Sequence, residues 1–253
     1  MDNIKLYEQE KHWGKLKKDF KFLDKVRMIK ALIPEDVKTI LDVGCGDGAL
    51  TNLLSRERYQ IVGYDRSEEA LKHVEVEKKK GGIDYIQFPD KSFDLLICSQ
   101  VLEHIPDTIY QKSIDELCRV TKKYIVIGVP YKEMLREHYS KCKGCNKIFH
   151  LWGHLRSYKD INAISKRLKN FDLDAYFFTN TADHVHSLTT FIKQKIFDLW
   201  DSNDIAVCPY CQMENCCVKN KITGLNKYIL DRIIWRLGVY TEPWWMVGLW
   251  RKR

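Results

Sequence analysis

Hydrophobic and polar positions follow two different periods along this chain. Over residues 15–32 apolar side chains recur at helical spacing among lysines, which predicts an amphipathic helix that ends before Pro34. Its apolar positions are Leu16, Phe20, Leu23, Val26 and Ile29. From residue 38 onward, short apolar runs alternate with helical segments, a pattern that indicates buried strands joined by helices.

The apolar runs place each element of a strand–helix alternation. Strands are predicted at 39–43, 60–65, 93–99 and 124–129, with later ones at 173–179 and 244–250. Helices are predicted at 49–56, at 67–79 with Ser67 as the N-cap, around Ile114 and Leu117, and at 158–169. This alternation favours parallel pairing and an open α/β sheet with helices on both faces. Such sheets bind ligands beyond the carboxyl ends of their strands.

A glycine-rich loop follows the first predicted strand. Its glycines, at positions 44, 46 and 48, let the backbone turn sharply and let a ligand approach closely. Asp42 precedes the loop, and Asp65 ends the next strand, where a carboxylate can accept hydrogen bonds from both ribose hydroxyls. The alternative for Asp65 is an ordinary residue in the first turn of a helix. We therefore predict a nucleotide-type site at this edge.

Four stretches in order resemble the motifs of class I S-adenosylmethionine-dependent methyltransferases. They are ILDVGCGDG at 40–48, VGYD at 62–65, FPDKSFD at 88–94 and VLEHIPD at 101–107. A dinucleotide dehydrogenase would have the spacing G-x-G-x-x-G, whereas this chain has Ala49 at the last of those positions. The resemblance covers about residues 37–130. It implies S-adenosylmethionine as the cofactor and says little about the methyl acceptor.

The resemblance also implies roles for individual residues. The cofactor-binding residues that it implies are Asp42, Gly44, Cys45 and Gly46 around the methionine part, Asp65 at the ribose, Arg66 and Asp84 at the adenine, and Ser99 and Gln100 at the sulfonium. An ordinary strand-to-helix turn is the alternative for the last two. The family's fold is a Rossmann-like, mostly parallel seven-stranded sheet whose last strand runs antiparallel between its neighbours.

This fold divides the chain into four parts. We expect an N-terminal helical cap over 1–36, a cofactor-binding core over 37–179 and the final core strand over 244–253. The remaining segment, 180–243, separates two strands that normally form a tight pair, so we interpret it as an insertion and lid. Residues 131–157 form a connector within the core. The expected fold class is therefore α/β with a cysteine-containing insertion.

Two C-x-x-C pairs occur in the connector and in the insertion. Cys142 and Cys145 form one, and Cys208 and Cys211 form the other. Four thiolates suit a tetrahedral zinc ion and leave no position for water, so we predict a structural zinc that clamps two connections over the substrate side. The gap of 62 residues between the pairs is long for a zinc ribbon.

Other ligand sets compete with this four-cysteine site. Cys142 and Cys145 could pair with His150 and His154, and the second C-x-x-C pair could combine with Cys216 and Cys217. A third alternative is that no metal binds. The remaining cysteines, Cys45, Cys98 and Cys118, fall on predicted buried elements and are interpreted as small core residues.

Histidines are the first candidates for a general base if the methyl acceptor is an oxygen. His104 follows the fourth strand, and its alternative role is packing at a helix start. His184 and His186 follow the sixth strand, with Asp183 placed to orient one of them. His12 and Trp13 could cover the cofactor or pack in the N-terminal helix.

Charge and composition narrow the function classes. The chain has 253 residues with 45% hydrophobic positions and a net charge of +8, and an acidic middle lies between basic flanks. This composition excludes a disordered chain. The sequence has no run of 18 apolar residues, and its first residues are polar and charged, so we expect neither a membrane span nor a signal peptide. Nine cysteines without a secretion signal favour a cytoplasmic protein.

We expect a methyltransferase for a small molecule or glycan, acting at oxygen. The N-P-P-Y signature of base amino methyltransferases is missing from the sequence. The alternatives are an RNA or protein methyltransferase and a non-catalytic cofactor-binding scaffold with a basic zinc lid. Two apolar stripes in the insertion, at Phe191, Ile192, Ile196, Phe197, Leu199 and Trp200 and at Ile229, Leu230, Ile233, Ile234, Trp235 and Leu237, predict lid or dimer packing. Contact with a membrane surface is a minor alternative.

Overall fold

Nine strands and seven α-helices make up the described part of the chain. A computed structural model describes residues 4–14, 19–220, 222, 232, 236 and 238–253. The strands are β1 Thr39–Val43, β2 Gln60–Asp65, β3 Lys78–Lys80, β4 Phe93–Ser99, β5 Thr121–Pro130, β6 Tyr139–Lys141, β7 Ile148–His150, β8 Phe171–Val185 and β9 Val239–Lys252. The helices are α1 Ile4–Tyr7, α2 Phe20–Leu32, α3 Ala49–Leu54, α4 Glu68–Leu71, α5 Asp107–Val120, α6 Asn162–Ser165 and α7 Ser187–Lys195.

Seven of these strands form one sheet in the order β3-β2-β1-β4-β5-β9-β8. The first five are parallel, and β9 runs antiparallel to both β5 and β8. The strand order reverses between β1 and β4, and such a switch point is where open α/β sheets hold their ligands. The predicted Rossmann-like, mostly parallel seven-stranded sheet is confirmed.

The core lies on both faces of the sheet because successive strand residues point to opposite sides. Leu41 and Val43 pack on one face with Ile114 of α5, whereas Ile40 packs on the other with Ile29 of α2. Each inner strand is therefore apolar on both faces, which accounts for the continuous hydrophobic runs in the sequence. This packing fixes the loops at the carboxyl ends of the strands.

The predicted helix over 67–79 is wrong in its length. Ser67 caps a helix as expected, since its Oγ accepts a hydrogen bond of 3.1 Å from the amide of Ala70, but α4 makes only one turn. Beyond it, the Asn52 side chain hydrogen-bonds to the His73 carbonyl and the Glu75 amide, so these backbone groups do not continue the helix. The lysines at 78–80 form edge strand β3 beside β2.

Three other helices are also shorter than predicted, and the first of them, α3, ends at Leu54 rather than at residue 56. The predicted helix over 158–169 is reduced to α6, because Tyr158 instead forms a bridge with Tyr131 in an extended connection. Helix α2 begins at Phe20, since the Asp19 carboxylate accepts hydrogen bonds from the second and third amides after it. It ends at Leu32, ahead of Pro34 as predicted, and Leu16 lies outside the described residues.

The last two strands of the sheet extend beyond their predicted limits. Strand β8 continues to Val185 and β9 begins at Val239, so the segment between them is 186–238 rather than 180–243. The first predicted stripe does not form one helix: α7 ends at Lys195, Ile196 is exposed, and Trp200 is buried beyond the helix. The second stripe, from Ile229 to Leu237, lies outside the described residues. Among the described helices, none has the length and apolarity to cross a bilayer.

Candidate functional site

The glycine loop is held tightly at the carboxyl end of β1. The amides of Gly44 and Cys45 donate hydrogen bonds of 2.7 and 3.2 Å to the carbonyl oxygen of Tyr64. Gly44 has φ +73°, and a Cβ atom there would lie 2.2 Å from Cγ2 of Val101. Because L side chains rarely adopt this conformation and no space exists for one, the position requires glycine.

Asp42 lies fully buried beneath this loop. Its Oδ2 accepts a hydrogen bond of 2.6 Å from Oγ1 of Thr51. Burial raises the pKa of Asp42 to about 6, although the Thr51 hydroxyl favours the charged form. The carboxyl group therefore titrates close to neutral pH.

Asp65 joins the end of β2 to the glycine loop. Its two carboxylate oxygens accept hydrogen bonds from the amides of Gly46 and Ser67, at 2.9 and 2.8 Å. Burial raises the pKa of Asp65, while these amides oppose the shift. Beside it, the Arg66 guanidinium lies 5.6 Å from the ring centre of Tyr7. Asp84 is half-buried farther along, with Oδ2 3.7 Å from Nζ of Lys112.

Unsatisfied polar atoms mark the carboxyl end of β4. Oγ of Ser99 and Nε2 of Gln100 are buried and have no hydrogen-bond partner among the described residues. Gln100 adopts φ +61°, and its Oε1 accepts a hydrogen bond of 3.0 Å from the Trp245 indole. Buried polar atoms without partners are costly, so these two are suited to contact a bound ligand.

Lys25 is a site residue that the sequence pattern did not reveal. It lies on α2 and is almost fully buried, with Nζ 4.6 Å from the ring centre of Trp245. Burial lowers the pKa of Lys25 to about 8, while the carboxylates of Glu103 and Asp42 favour its charged form. The sequence feature that could have revealed Lys25 is its position on the apolar face of the helix, between Phe22 and Val26.

The N-terminal segment covers the glycine loop. A Cβ atom at Gly46 would lie 3.0 Å from the Trp13 ring, and the Trp13 indole donates a hydrogen bond of 2.8 Å to the carbonyl oxygen of Tyr7. His12 packs edge-on against Trp13, with ring centres 4.6 Å apart. Trp13 therefore packs against the glycine loop, and its role as a cover for the cofactor stays a prediction.

A cavity of about 480 Å³ opens beside this site. Its lining includes Tyr7, Arg66 and three histidines, His104, His150 and His154. Nδ1 of His104 lies 3.0 Å from the Tyr7 hydroxyl, and burial lowers the pKa of His104 well below its usual value. The volume is in the range of small-molecule pockets.

The other two candidate histidines lie elsewhere. Nδ1 of His184 is 2.8 Å from Oε2 of Glu137, and the ring of His186 packs on Tyr240. Neither is among the described residues that line the cavity. The expectation that Asp183 orients one of them is wrong, because its carboxylate accepts a hydrogen bond from Thr241 instead.

The four cysteines of the two C-x-x-C pairs converge. The sulfur of Cys142 lies 3.6 Å from that of Cys211, and Cys145 and Cys208 show the same separation. All four sulfurs lie within 4.8 Å of one another. A tetrahedral zinc ion with Zn–S bonds of about 2.3 Å separates its sulfurs by about 3.8 Å, so this donor set fits zinc.

The competing ligand sets are not assembled among the described residues. His150 and His154 group with Glu133 rather than with the cysteines. Cys216 and Cys217 stay outside the four-sulfur group and serve it through their backbone, since the Cys216 carbonyl accepts a hydrogen bond of 2.7 Å from the Lys143 amide. Pro209 and Tyr210, between two of the cysteines, line the cavity. Of the presumed core cysteines, Cys45 and Cys98 are buried and Cys118 is partly buried.

Comparisons with known proteins agree with this geometry. The family model described as "Methyltransferase domain" matches residues 41–127. A "Ubiquinone biosynthesis O-methyltransferase" of Paracidovorax citrulli is 28% identical over 119 residues, 41% of this chain and 50% of that protein. An uncharacterized protein of Methanocaldococcus jannaschii is 28% identical over 65% of this chain and 69% of its own length. The chain thus spans about half the length of the first of these relatives.

Solved structures share the fold across almost the whole chain. A "putative methyltransferase" from Bacillus halodurans superposes with a TM-score of 0.54 at 16% identity, covering 91% of this chain and 97% of that one. A "SAM dependent methyltransferase" from Archaeoglobus fulgidus gives 0.52 at 17% identity, covering 99% and 100%. These likenesses show a shared fold, and the family model supports the resemblance noted in the sequence.

Proposed function

We propose that this chain, which carries a class I S-adenosylmethionine-dependent methyltransferase domain, transfers a methyl group from that cofactor to an oxygen of a small molecule or glycan. The observation that carries the proposal is the convergence of the glycine loop and Asp65 with two unpartnered polar atoms, Oγ of Ser99 and Nε2 of Gln100, at the switch point of the sheet. When bound, the cofactor supplies a methyl group on a positively charged sulfur, ready for in-line displacement.

In our proposal, the residues at this edge of the sheet contact different parts of the cofactor. Asp65 accepts the ribose hydroxyls, with Arg66 and Asp84 on the adenine side. Gly44, Cys45 and Gly46 present backbone to the methionine part, and Ser99 and Gln100 offer buried polar atoms near the sulfonium. Asp42 joins the end of β1 to helix α3, on the far side of the glycine loop, through its hydrogen bond with Thr51.

Lys25 and Asp42 place a positive and a negative charge near the methionine part of the cofactor, which itself carries an ammonium and a carboxylate group. We assign the Lys25 ammonium to the cofactor's carboxylate, because Lys25 is a buried cation packed on Trp245, whose indole donates a hydrogen bond to Gln100 at this edge. An ion pair removed from water is worth more than one at the surface. This contact also offsets the cost of burying the lysine.

The acceptor occupies the cavity beside His104. Its volume of about 480 Å³ and its aromatic and histidine walls suit a small molecule better than a folded macromolecule. The relative named as a ubiquinone biosynthesis O-methyltransferase supports oxygen as the methylated atom. His184 and His186 lie outside this cavity, so we give them no catalytic role.

The zinc proposed at the four cysteines is structural. Four thiolates close its coordination sphere, and the segment around Pro209 and Tyr210 is thereby fixed against the cavity. The protein's contribution to the reaction is then alignment of the acceptor oxygen and exclusion of water.

The proposal is tested by incubating the chain with ¹³C-methyl-labelled cofactor and separate panels of phenols, sugars, RNA and protein. The expected product carries a methoxy carbon on a small acceptor, detected by NMR. Label found only in RNA or protein would favour the alternative acceptors. The absence of cofactor binding by calorimetry would refute the proposal altogether.

A further inference from the structure

A buried carboxylate whose oxygens have no hydrogen-bond partner among the described residues lies next to the proposed acceptor site. Glu103 is completely buried, and neither of its carboxylate oxygens has a hydrogen-bond partner among the described residues. A carboxylate in this state carries a large desolvation cost unless a cation or a donor meets it. Its surroundings therefore point to a ligand.

Two histidines complete a set of metal donors with Glu103. One ligand atom each from Glu103, His104 and His154 lies within 4.8 Å of the others. The rings of His104 and His154 have centres 4.7 Å apart, and both line the cavity. Two imidazoles and one carboxylate are a donor set typical of divalent transition metals, and three protein ligands leave coordination positions open.

A second carboxylate, that of Glu133, orients His154 for binding a metal ion. Oε2 of Glu133 lies 2.6 Å from Nδ1 of His154, and the same carboxylate faces Nε2 of His150 at 3.5 Å. An ionised carboxylate only accepts hydrogen bonds, so Nδ1 of His154 carries the proton and Nε2 keeps its lone pair. A carboxylate on the outer nitrogen of a metal-binding histidine is a recurring second-sphere arrangement.

His150 has a different role within the same group. Its Nδ1 accepts hydrogen bonds from the amides of Trp152 and His154, each at 3.2 Å. Its proton is therefore on Nε2, which faces Glu133. His150 therefore faces Glu133 and is not one of the three proposed metal ligands.

We propose that Glu103, His104 and His154 bind a divalent transition-metal ion at the acceptor cavity, with Glu133 as the positioning residue for His154. The ion binds independently of the four-cysteine group, whose donors are all sulfur. Its catalytic role rests on the proposed function. A divalent ion lowers the pKa of a hydroxyl that coordinates it, so an acceptor hydroxyl loses its proton to water near neutral pH.

The methyl transfer then needs no strong base from the protein, because the acceptor's proton has already passed to water. The deprotonated acceptor oxygen forms the new bond to the methyl carbon. The bond between that carbon and sulfur breaks, and its electron pair stays on sulfur to give a neutral thioether. The site thus selects acceptors with a hydroxyl that can coordinate a metal.

Co²⁺ titration of the full chain, with zinc already bound at the cysteines, tests the metal site. We expect one further equivalent of Co²⁺ whose spectrum lacks the charge-transfer absorption of thiolate ligands. Glu103→Gln and His154→Gln should each abolish this equivalent, and Glu133→Gln should weaken it by about 10–100-fold. His184→Gln is the matched control, because it alters a buried histidine–glutamate pair outside the cavity.

Two results would overturn the metal site. One is the absence of a second equivalent of Co²⁺, and the other is a second equivalent that both Glu103→Gln and His154→Gln leave intact. Circular dichroism of each variant checks that the fold persists. Calorimetry with S-adenosylmethionine separates this proposal from the previous one: cofactor binding without the second metal refutes the metal site alone, and metal binding without the cofactor refutes the proposed function.

Discussion

The amide of Gly46 donates a hydrogen bond of 2.9 Å to Oδ2 of Asp65. This contact joins the loop after β1 to the end of β2, so that two elements 19 residues apart in sequence form one side of the candidate cofactor site. The position of the carboxylate depends on the loop, and the loop depends on glycines with left-handed backbone. A change in either should affect the binding of the cofactor.

Replacement of Lys25 by methionine should weaken the binding of S-adenosylmethionine without lowering the stability of the fold. We expect the affinity for S-adenosylmethionine to fall by about tenfold, because the cofactor's carboxylate loses its cation. The free energy of unfolding should stay the same or rise, since the variant no longer buries an ammonium group. Calorimetry and urea denaturation measure the two quantities. The control is Lys30→Met on the exposed face of α2, and equal cofactor affinity in both variants would contradict the assignment.

The raised pKa of Asp42 predicts a pH-dependent stability. Its pKa is about 6 in the folded protein and 3.8 in the unfolded reference, so the native state binds the proton more tightly. The stabilising contribution is fully present below pH 3.8 and is lost as the pH rises through 6. Between pH 5 and 7.5, the wild type should lose about 1 kcal/mol relative to Asp42→Asn, as measured by urea denaturation at each pH. Parallel pH profiles for the two proteins would show that Asp42 has an ordinary pKa.

The four-cysteine group should hold about one zinc ion per chain. Replacing Cys142 and Cys208 by serine should release the metal and speed amide hydrogen exchange in β6, β7 and the segment 198–218. The sheet core should keep its protection, because its strands pack on their own helices. Cys216→Ser with Cys217→Ser is the matched control. Stoichiometric zinc retained in the first double variant would rule out these ligands.

The parts of the fold that the sequence predicted are those fixed by local apolar runs. Strands β1, β2 and β4 have the predicted bounds because each is buried on both faces. The lysines of β3 carry no such signal, since an edge strand with three charged side chains owes its place to pairing with β2. The strand was therefore missed, and its first two residues were assigned to the predicted helix over 67–79.

Site residues that come together only through contacts between distant segments could not be predicted from the sequence. The cysteine pairs were recognisable because each C-x-x-C spacing is a local signal, although 62 residues separate them. Glu103 and His154 belong to the connection after β4 and the loop after β7, and only the folded chain brings them together. Lys25 is similar, because the Trp245 ring that it packs on and the Glu103 charge that favours its ammonium form come from remote parts of the sequence.

Calorimetric titration of S-adenosylmethionine into the wild type and Asp65→Ala tests the central claim most directly. We predict stoichiometric binding to the wild type and a loss of about 1.5–3 kcal/mol in the variant, the range for a hydrogen bond to a charged group. Asp174→Ala, which removes an exposed carboxylate paired with Arg251, should bind as the wild type does. No binding to the wild type, or equal affinity in all three proteins, would contradict the cofactor site described above.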